Sequence, residues 1–104
     1  MFTTDRREDL QDLLETLLES KNVYFQPPSN LVMQYPAIVY QRDQADTMFA
    51  NNSPYRRTMM YQVTVIDRKP DSKIPEKVAA LPMCYHSAFF ASDDLNHDVF
   101  RLYF

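Results

Sequence analysis

The stretch RTMMYQVTVID, residues 57–67, decides the fold of this 104-residue chain. Its apolar residues recur at every second position, which returns the side chains of a β-strand to the same face. The first face, which we predict to lie in the core, consists of Met59, Tyr61, Val63 and Val65. The second face, which we predict to be half-exposed, consists of Thr58, Met60, Gln62, Thr64 and Ile66. The stretch therefore predicts one long strand that covers one side of the core.

A helix is predicted before this strand, over residues 5–21. Asp5, followed three residues later by Glu8, indicates the N-terminal cap of the helix. Asn22 is expected to take the left-handed conformation that ends it. The apolar residues recur at intervals of three and four, so they form a single stripe that faces the core. The stripe consists of Leu10, Leu13, Leu14, Leu17 and Leu18.

Four further strands and a second helix complete the predicted order of elements. Ser72 is expected to cap the second helix, and Pro82 to end it. The last two strands form an antiparallel hairpin, because residues 92–96 are rich in turn-forming Asp and Asn. The further strands are residues 23–26, 36–41, 83–91 and 97–104. The predicted fold class is α+β, with a mostly antiparallel sheet and two helices packed against one face, in a single domain of residues 1–104.

The composition excludes several classes of site. The chain has no glycine, which the dinucleotide-binding motif, the P-loop and the nucleophile elbow all require. Its lone Cys84 excludes an internal disulfide and zinc sites that need two or four cysteines. The net charge of −3 argues against affinity for a phosphate backbone. Residues 1–12 contain no apolar run, so no signal peptide is expected.

Two polar groups near the C-terminus are candidates for chemistry. Asp93, Asp94, His97 and Asp98 combine carboxylates with an imidazole, which can hold a divalent metal or act as acid and base. The simpler interpretation is a hairpin turn in which Asp side chains bind nearby backbone N–H groups.

Cys84 and His86 share a strand face and form a conceivable nucleophile pair. The simpler interpretation there is a buried cysteine that packs as a small hydrophobic residue.

The long loop over residues 42–55 predicts a contact with another chain. It shows neither helical nor strand periodicity, and loops of this length are usually functional or mobile. Met48 and Phe49 are apolar among Asp and Asn residues, which is typical of an anchor for a partner. The alternative is a loop that folds back on its own domain. The predicted contact residues are Asp43, Asp46, Met48, Phe49, Asn51, Tyr55, Arg56 and Arg57.

Several blocks taken in order resemble a known family. They are YPAIVY at residues 35–40, the Asp- and Asn-rich loop, YQVTVID at 61–67, DSKIPEKV at 71–78 and DLNHDVFRLYF at 94–104. Together they are similar to the tail-completion, or tail-terminator, proteins of long-tailed double-stranded DNA bacteriophages and prophages. The resemblance covers residues 5–104 in its order of elements.

The resemblance implies a structural role and no enzyme activity or cofactor. It implies a homo-oligomeric ring, typically a hexamer, that caps the head-proximal end of the tail tube and stops its growth. The partners it implies are the protein itself, the tail tube protein and the head–neck connector protein. DNA would pass through the ring without specific binding, which the acidic outer face of the first helix suits. The expected location is the virion tail, and the host cytoplasm during assembly.

Two alternatives remain open from the sequence. The first is another head–tail neck component, a connector or stopper, which shares the class of partner but binds the head side first. The second is a small metal-binding domain or enzyme that uses Asp93, Asp94, His97 and Asp98. A metal site predicts stability that rises with added divalent metal.

Overall fold

A computed structural model describes residues 6–43 and 59–104 of the chain. Within these ranges two helices and five strands form an α+β arrangement, as the sequence predicts. In chain order they are α1 (Arg6–Leu18), β1 (Val23–Phe25), β2 (Ala37–Arg42), β3 (Met60–Asp67), α2 (Ile74–Ala79), β4 (Cys84–Ser92) and β5 (Leu95–Tyr103). In the described part of the chain, neither helix has the length and apolarity needed to cross a membrane.

The five strands form one sheet in the order β1-β2-β3-β5-β4. β1 runs parallel to β2, and the other three neighbouring pairs are antiparallel. β3, which contains most of the decisive stretch, therefore lies in the middle of the sheet. The predicted mostly antiparallel sheet is confirmed. The parallel pair arises because the chain crosses over between β1 and β2 before it re-enters the sheet.

The core lies between the two helices and one face of the sheet. Tyr61, Val63 and Val65 of β3 are buried there, as predicted. In the register of the sheet, Val63 lies between Tyr40 of β2 and Phe100 of β5. The helices cover this face with Leu10, Leu14 and Leu18 of α1 and Val78 of α2. One cluster joins both helices to the sheet, so the helices pack on the same face.

The second face of β3 differs from its prediction. Gln62 and Thr64 are half-buried, as expected. Met60 and Ile66 are buried, with exposed fractions of 7% and 5%. Ile66 pairs with Ala37 of β2, which is also buried. The prediction of a half-exposed face is therefore wrong at both ends of β3, because strand periodicity separates the two faces but does not say what covers each.

The first helix ends with the last leucine of the stripe, three residues before the predicted end at residue 21. α1 ends at Leu18, and Glu19 takes the left-handed conformation with φ of 60°. The prediction that Asn22 has this role is wrong. The side-chain amide of Asn22 donates instead to the carbonyl of Pro36 at 3.3 Å, which ties the start of β1 to β2. The early end allows Val23 to reach the buried face of the sheet, and the predicted cap Asp5 lies outside the described residues.

The second helix and the final hairpin follow the predicted order with adjusted bounds. The N-cap position is Lys73, which makes no side-chain cap hydrogen bond, so the prediction of Ser72 as the cap is wrong by one residue. The hydroxyl of Ser72 accepts a hydrogen bond from the N–H of Ile74 at 3.2 Å. The turn between β4 and β5 contains only Asp93 and Asp94, since Leu95 already belongs to β5. Their φ angles are 55° and 64°, as in the two-residue hairpin turns that match strand twist.

The strained turn predicts a stabilising substitution. In such turns glycine is preferred at the second central position, because a side chain in the left-handed region costs about 1 kcal/mol. We expect Asp94→Gly to raise the free energy of unfolding by about 0.5 kcal/mol after the entropy cost of glycine. Urea denaturation measures this change. The control is Asp71→Gly, at a position without a positive φ, which should lower stability. An equal loss in both variants would contradict the strain argument.

Candidate interaction surface on the edge strand β4

β4 lies at the edge of the sheet. Among the described residues it pairs with β5 on one side, and no strand pairs with its outer side. Its sequence, CYHSAFFAS, contains no Asp, Glu, Lys, Arg or Pro. Natural edge strands are usually protected from pairing by charges, proline or short length. The nine-residue β4 has none of these three protections, and a bulge between His86 and Ala88 is the one protective feature of this kind that it carries.

Exposed rings lie on both faces of β4. Tyr85, Phe89 and Phe90 are each about half-exposed, at 50%, 55% and 48%. Met83, directly before the strand, is 56% exposed. These four residues define what we call the β4 surface. Exposed apolar groups gathered in one place on a small domain are typical of a contact with another molecule.

A bulge in β4 distributes these rings between the two faces. His86 pairs with Phe100, and Ala88 pairs with Val99, so Ser87 is the extra residue. Phe89 pairs with Asp98 and therefore lies on the same face as the helices. Phe90 pairs with His97 and lies on the opposite face with Tyr85. Each face of the edge thus carries an exposed ring.

The opposite edge of the sheet is much less suited to a partner. β1 has only three residues, Val23–Phe25. Pro27 and Pro28 follow almost at once, and proline cannot donate a ladder hydrogen bond. Of the two edges that the structure describes, β4 alone offers a long row of backbone groups to another strand.

Two histidines support the β4 surface from within the hairpin. The Nε2 atom of His86 lies 3.1 Å from Oδ1 of Asp98, and its ring meets Phe100 edge-on. The ring of His97 stacks on Phe90 with 4.5 Å between centroids. Within the described ranges the Nδ1 atom of His97 is buried without a hydrogen-bond partner. These contacts hold the rings of the hairpin in place.

The proposed acidic cluster does not assemble into one site. Asp93 and Asp94 form the turn, as the simpler interpretation predicts. Asp98 faces His86 on the helix side, whereas His97 lies on the opposite face of the same strand. Within the described residues no group of three His, Cys, Asp or Glu side chains is placed to hold a metal. The geometry gives the metal-site alternative no support.

The Cys84–His86 pair is also placed without mutual contact. Both residues lie on the same face of β4, as predicted. The His86 ring nitrogen, however, contacts Asp98 rather than the thiol. Burial raises the pKa of the Cys84 thiol, which favours the unreactive protonated form. This arrangement fits the interpretation of Cys84 as a packing residue.

The acidic face of α1 is partly neutralised by lysines. Glu15 accepts from Nζ of Lys21 at 3.0 Å, and Glu19 accepts from Nζ of Lys77 at 3.3 Å. The side-chain amide of Gln11, and then Lys21, lower the pKa of Glu15. The same carboxylate raises the pKa of Lys21. Part of the negative charge that the sequence shows on this helix is therefore paired within the chain.

Most of the predicted contact loop lies outside the described residues. Asp43 is the one predicted contact residue that is described, and its Oδ2 atom lies 3.8 Å from Nε of Arg101 on β5. Its backbone N–H donates to the carbonyl of Met60 at 2.8 Å. The loop therefore leaves the sheet beside β3. The other seven predicted contact residues lie outside the described residues: Asp46, Met48, Phe49, Asn51, Tyr55, Arg56 and Arg57.

The sequence interpretation did not assign the β4 surface to any contact. The signal was present, since Phe89 and Phe90 are adjacent and adjacent strand residues point to opposite faces. A sequence with apolar rings on both faces and no charge occurs in central strands. The same pattern also occurs in an edge strand that docks a partner. Only the order of strands distinguishes the two.

Comparison of the chain with protein-family models, with curated proteins and with solved structures gave no significant match.

Proposed function

We propose that this protein is a structural subunit of the tail of a long-tailed bacteriophage or prophage. Copies of it form a ring that caps the head-proximal end of the tail tube, stops tube growth and joins the tail to the head connector. The observation that carries the proposal is the long, uncharged β4 edge with its exposed rings. Such an edge is a liability in a protein that works alone and an asset in one that assembles.

The fold supports the same role. The resemblance to tail terminators implies an α+β domain with helices against a mostly antiparallel sheet, and the described fold has this architecture. Assembly proteins need surfaces that bind other chains rather than an enclosed pocket. The chain meets this need with rings that a single domain leaves exposed.

Deletion of the coding gene from the phage that carries it tests the proposal. We expect lysates to contain tail tubes of irregular length that are not joined to heads, visible by negative-stain electron microscopy. Normal tails joined to heads would refute the proposal. Tubes of normal length without heads would favour the connector or stopper alternative instead. Wild-type protein supplied from a plasmid should restore normal tails.

The predicted anchor in the long loop gives a second expected result. The double variant Met48→Ala/Phe49→Ala should fail to restore normal tails in the deletion strain, while its circular dichroism spectrum stays unchanged. The reason is that apolar residues in a polar loop contribute more to a contact than to the core. The control is Leu31→Ala/Val32→Ala, which removes two apolar residues that are exposed in the single chain. Full rescue by the Met48 and Phe49 variant would refute the anchor.

A further inference from the structure

The outer side of β4 offers unpaired backbone groups to an extended strand of another chain. We propose that this strand is β4 of a second copy, paired antiparallel about a two-fold axis perpendicular to the sheet. The pairing joins two five-stranded sheets into one continuous sheet. A two-fold axis in this direction keeps the helices of both copies on the same side, and it reverses strand direction as antiparallel pairing requires.

The bulge at Ser87 selects the register of this pairing. Directly opposite residues in a sheet must lie on the same face. Because the bulge shifts the alternation, Tyr85 and Phe90 share one face, and His86 and Phe89 share the other. The register that pairs Tyr85 with Phe90 of the second copy also pairs His86 with its Phe89. Every exposed ring of β4 then meets a ring, and a shift in either direction loses this match.

Charge favours a second copy as the occupant. β4 contains no Asp, Glu, Lys or Arg, so two copies meet without like-charged side chains of these types directly opposite. The acidic turn of Asp93 and Asp94 lies beyond one end of the strand. In an antiparallel pair the two turns lie at opposite ends, about 35 Å apart at 3.3 Å per residue. The self-pairing thus separates the charges nearest to the edge.

The contact is large enough for a moderate dimer. A fully buried aromatic side chain covers about 200 Å², so the three half-exposed rings of each copy offer at most roughly 600 Å² over two copies. The paired strand edges bring the total to about 1,000 Å², which is the lower limit for specific interfaces. We therefore expect a dimer that dissociates in the micromolar range. The dimer is a state of the free protein, and because it occupies β4 on both copies it must dissociate before β4 can serve a contact in a ring.

Sedimentation equilibrium over a concentration series tests the dimer. The wild-type protein should shift from monomer to dimer between about 1 and 500 μM, in the range expected for weak, small interfaces. Phe89→Lys should raise the dissociation constant at least tenfold, because edge lysines oppose strand pairing. Val32→Lys is the matched control, at an apolar residue that is 83% exposed and far from β4 in sequence, and it should change the constant less than twofold. A wild-type monomer throughout, or equal effects of both variants, would overturn the proposal.

Disulfide trapping tests the register independently. In the proposed register Cys84 lies opposite Ala91 of the second copy, on the helix side of the sheet. Ala91→Cys should therefore form an intermolecular disulfide under mild oxidation, since opposite residues in a ladder have suitable Cα distances. Within one copy the two positions are about 23 Å apart and cannot bridge. Ser92→Cys, one residue further on the opposite face, should cross-link at least fivefold less, and equal cross-linking would overturn the register.

Discussion

Phe100→Ala should lower the free energy of unfolding by about 3–5 kcal/mol. The ring of Phe100 is 1% exposed and lies on β5, between Val63 of β3 and His86 of β4. Its loss removes apolar burial and leaves a cavity where the helices meet the sheet. For a domain of this size the change corresponds to a melting temperature lower by roughly 15–25 °C. Thermal unfolding followed by circular dichroism measures it.

The matched control is Phe89→Ala, which removes the same side chain from the neighbouring strand. Phe89 is half-exposed, so its removal should cost less than about 1 kcal/mol in the monomer. Both variants are compared at submicromolar concentration, where the proposed dimer is dissociated. Equal losses would show that the core is not centred on Phe100.

Tyr40→Phe should have the second-largest effect, through a partly buried polar network. The hydroxyl of Tyr40 donates to Oε1 of Gln11 at 2.6 Å and accepts from Nη1 of Arg7 at 3.2 Å. The amide of Gln11 also donates to Glu15 and to the carbonyl of Val23, which fixes its orientation. Phenylalanine leaves the half-buried Gln11 carbonyl without this donor, and the loss of such a hydrogen bond costs about 1 kcal/mol.

Urea denaturation of Tyr40→Phe measures this cost, and Tyr24→Phe is its control. The hydroxyl of Tyr24 accepts an exposed hydrogen bond from the N–H of Gln34 at 3.3 Å, so water can replace it. We expect a change of less than about 0.5 kcal/mol in the control. An unchanged stability in Tyr40→Phe would show that the network does not contribute.

The same network predicts a dependence on alkaline pH. Burial raises the pKa of the Tyr40 phenol above its ordinary value of 10.0, against a smaller opposing effect of Arg7. The unfolded chain therefore loses this proton first as the pH rises through 10, and folding stability falls from that pH upward. The stability difference between wild type and Tyr40→Phe should be constant below pH 10 and shrink above it. A difference that grows above pH 10 would contradict the assigned direction.

The sequence predicts the elements of this fold well where periodicity is strong. The alternation in β3 and the leucines of α1 identify the residues that meet in the core, because each period reports the face of one element. The hairpin turn was predictable from Asp93 and Asp94, because Asp favours turns through contacts with its own local backbone. The end of α1 was not predictable in the same way. Glu19 rather than Asn22 takes the left-handed conformation, and Val23 is buried in the sheet shortly afterwards.

The candidate site was predicted only in part. The contact residues named from the sequence lie in the loop, and of these the structure describes Asp43 alone. The β4 surface, with Tyr85, Phe89 and Phe90, was not assigned to a contact. Their exposure follows from the place of β4 in the sheet, which local pattern does not report.

By itself, the sequence determined the α+β class, the core faces of α1 and β3 and the absence of glycine-based and multi-cysteine sites. These features depend on local periodicity and composition, which each segment carries alone. Only the tertiary structure decided that β5 lies inside the sheet and β4 at its edge, and that His97 and Asp98 face opposite sides. Strand order depends on which strands pair across long separations, and side-chain alternation reports the faces of a strand but not its neighbours.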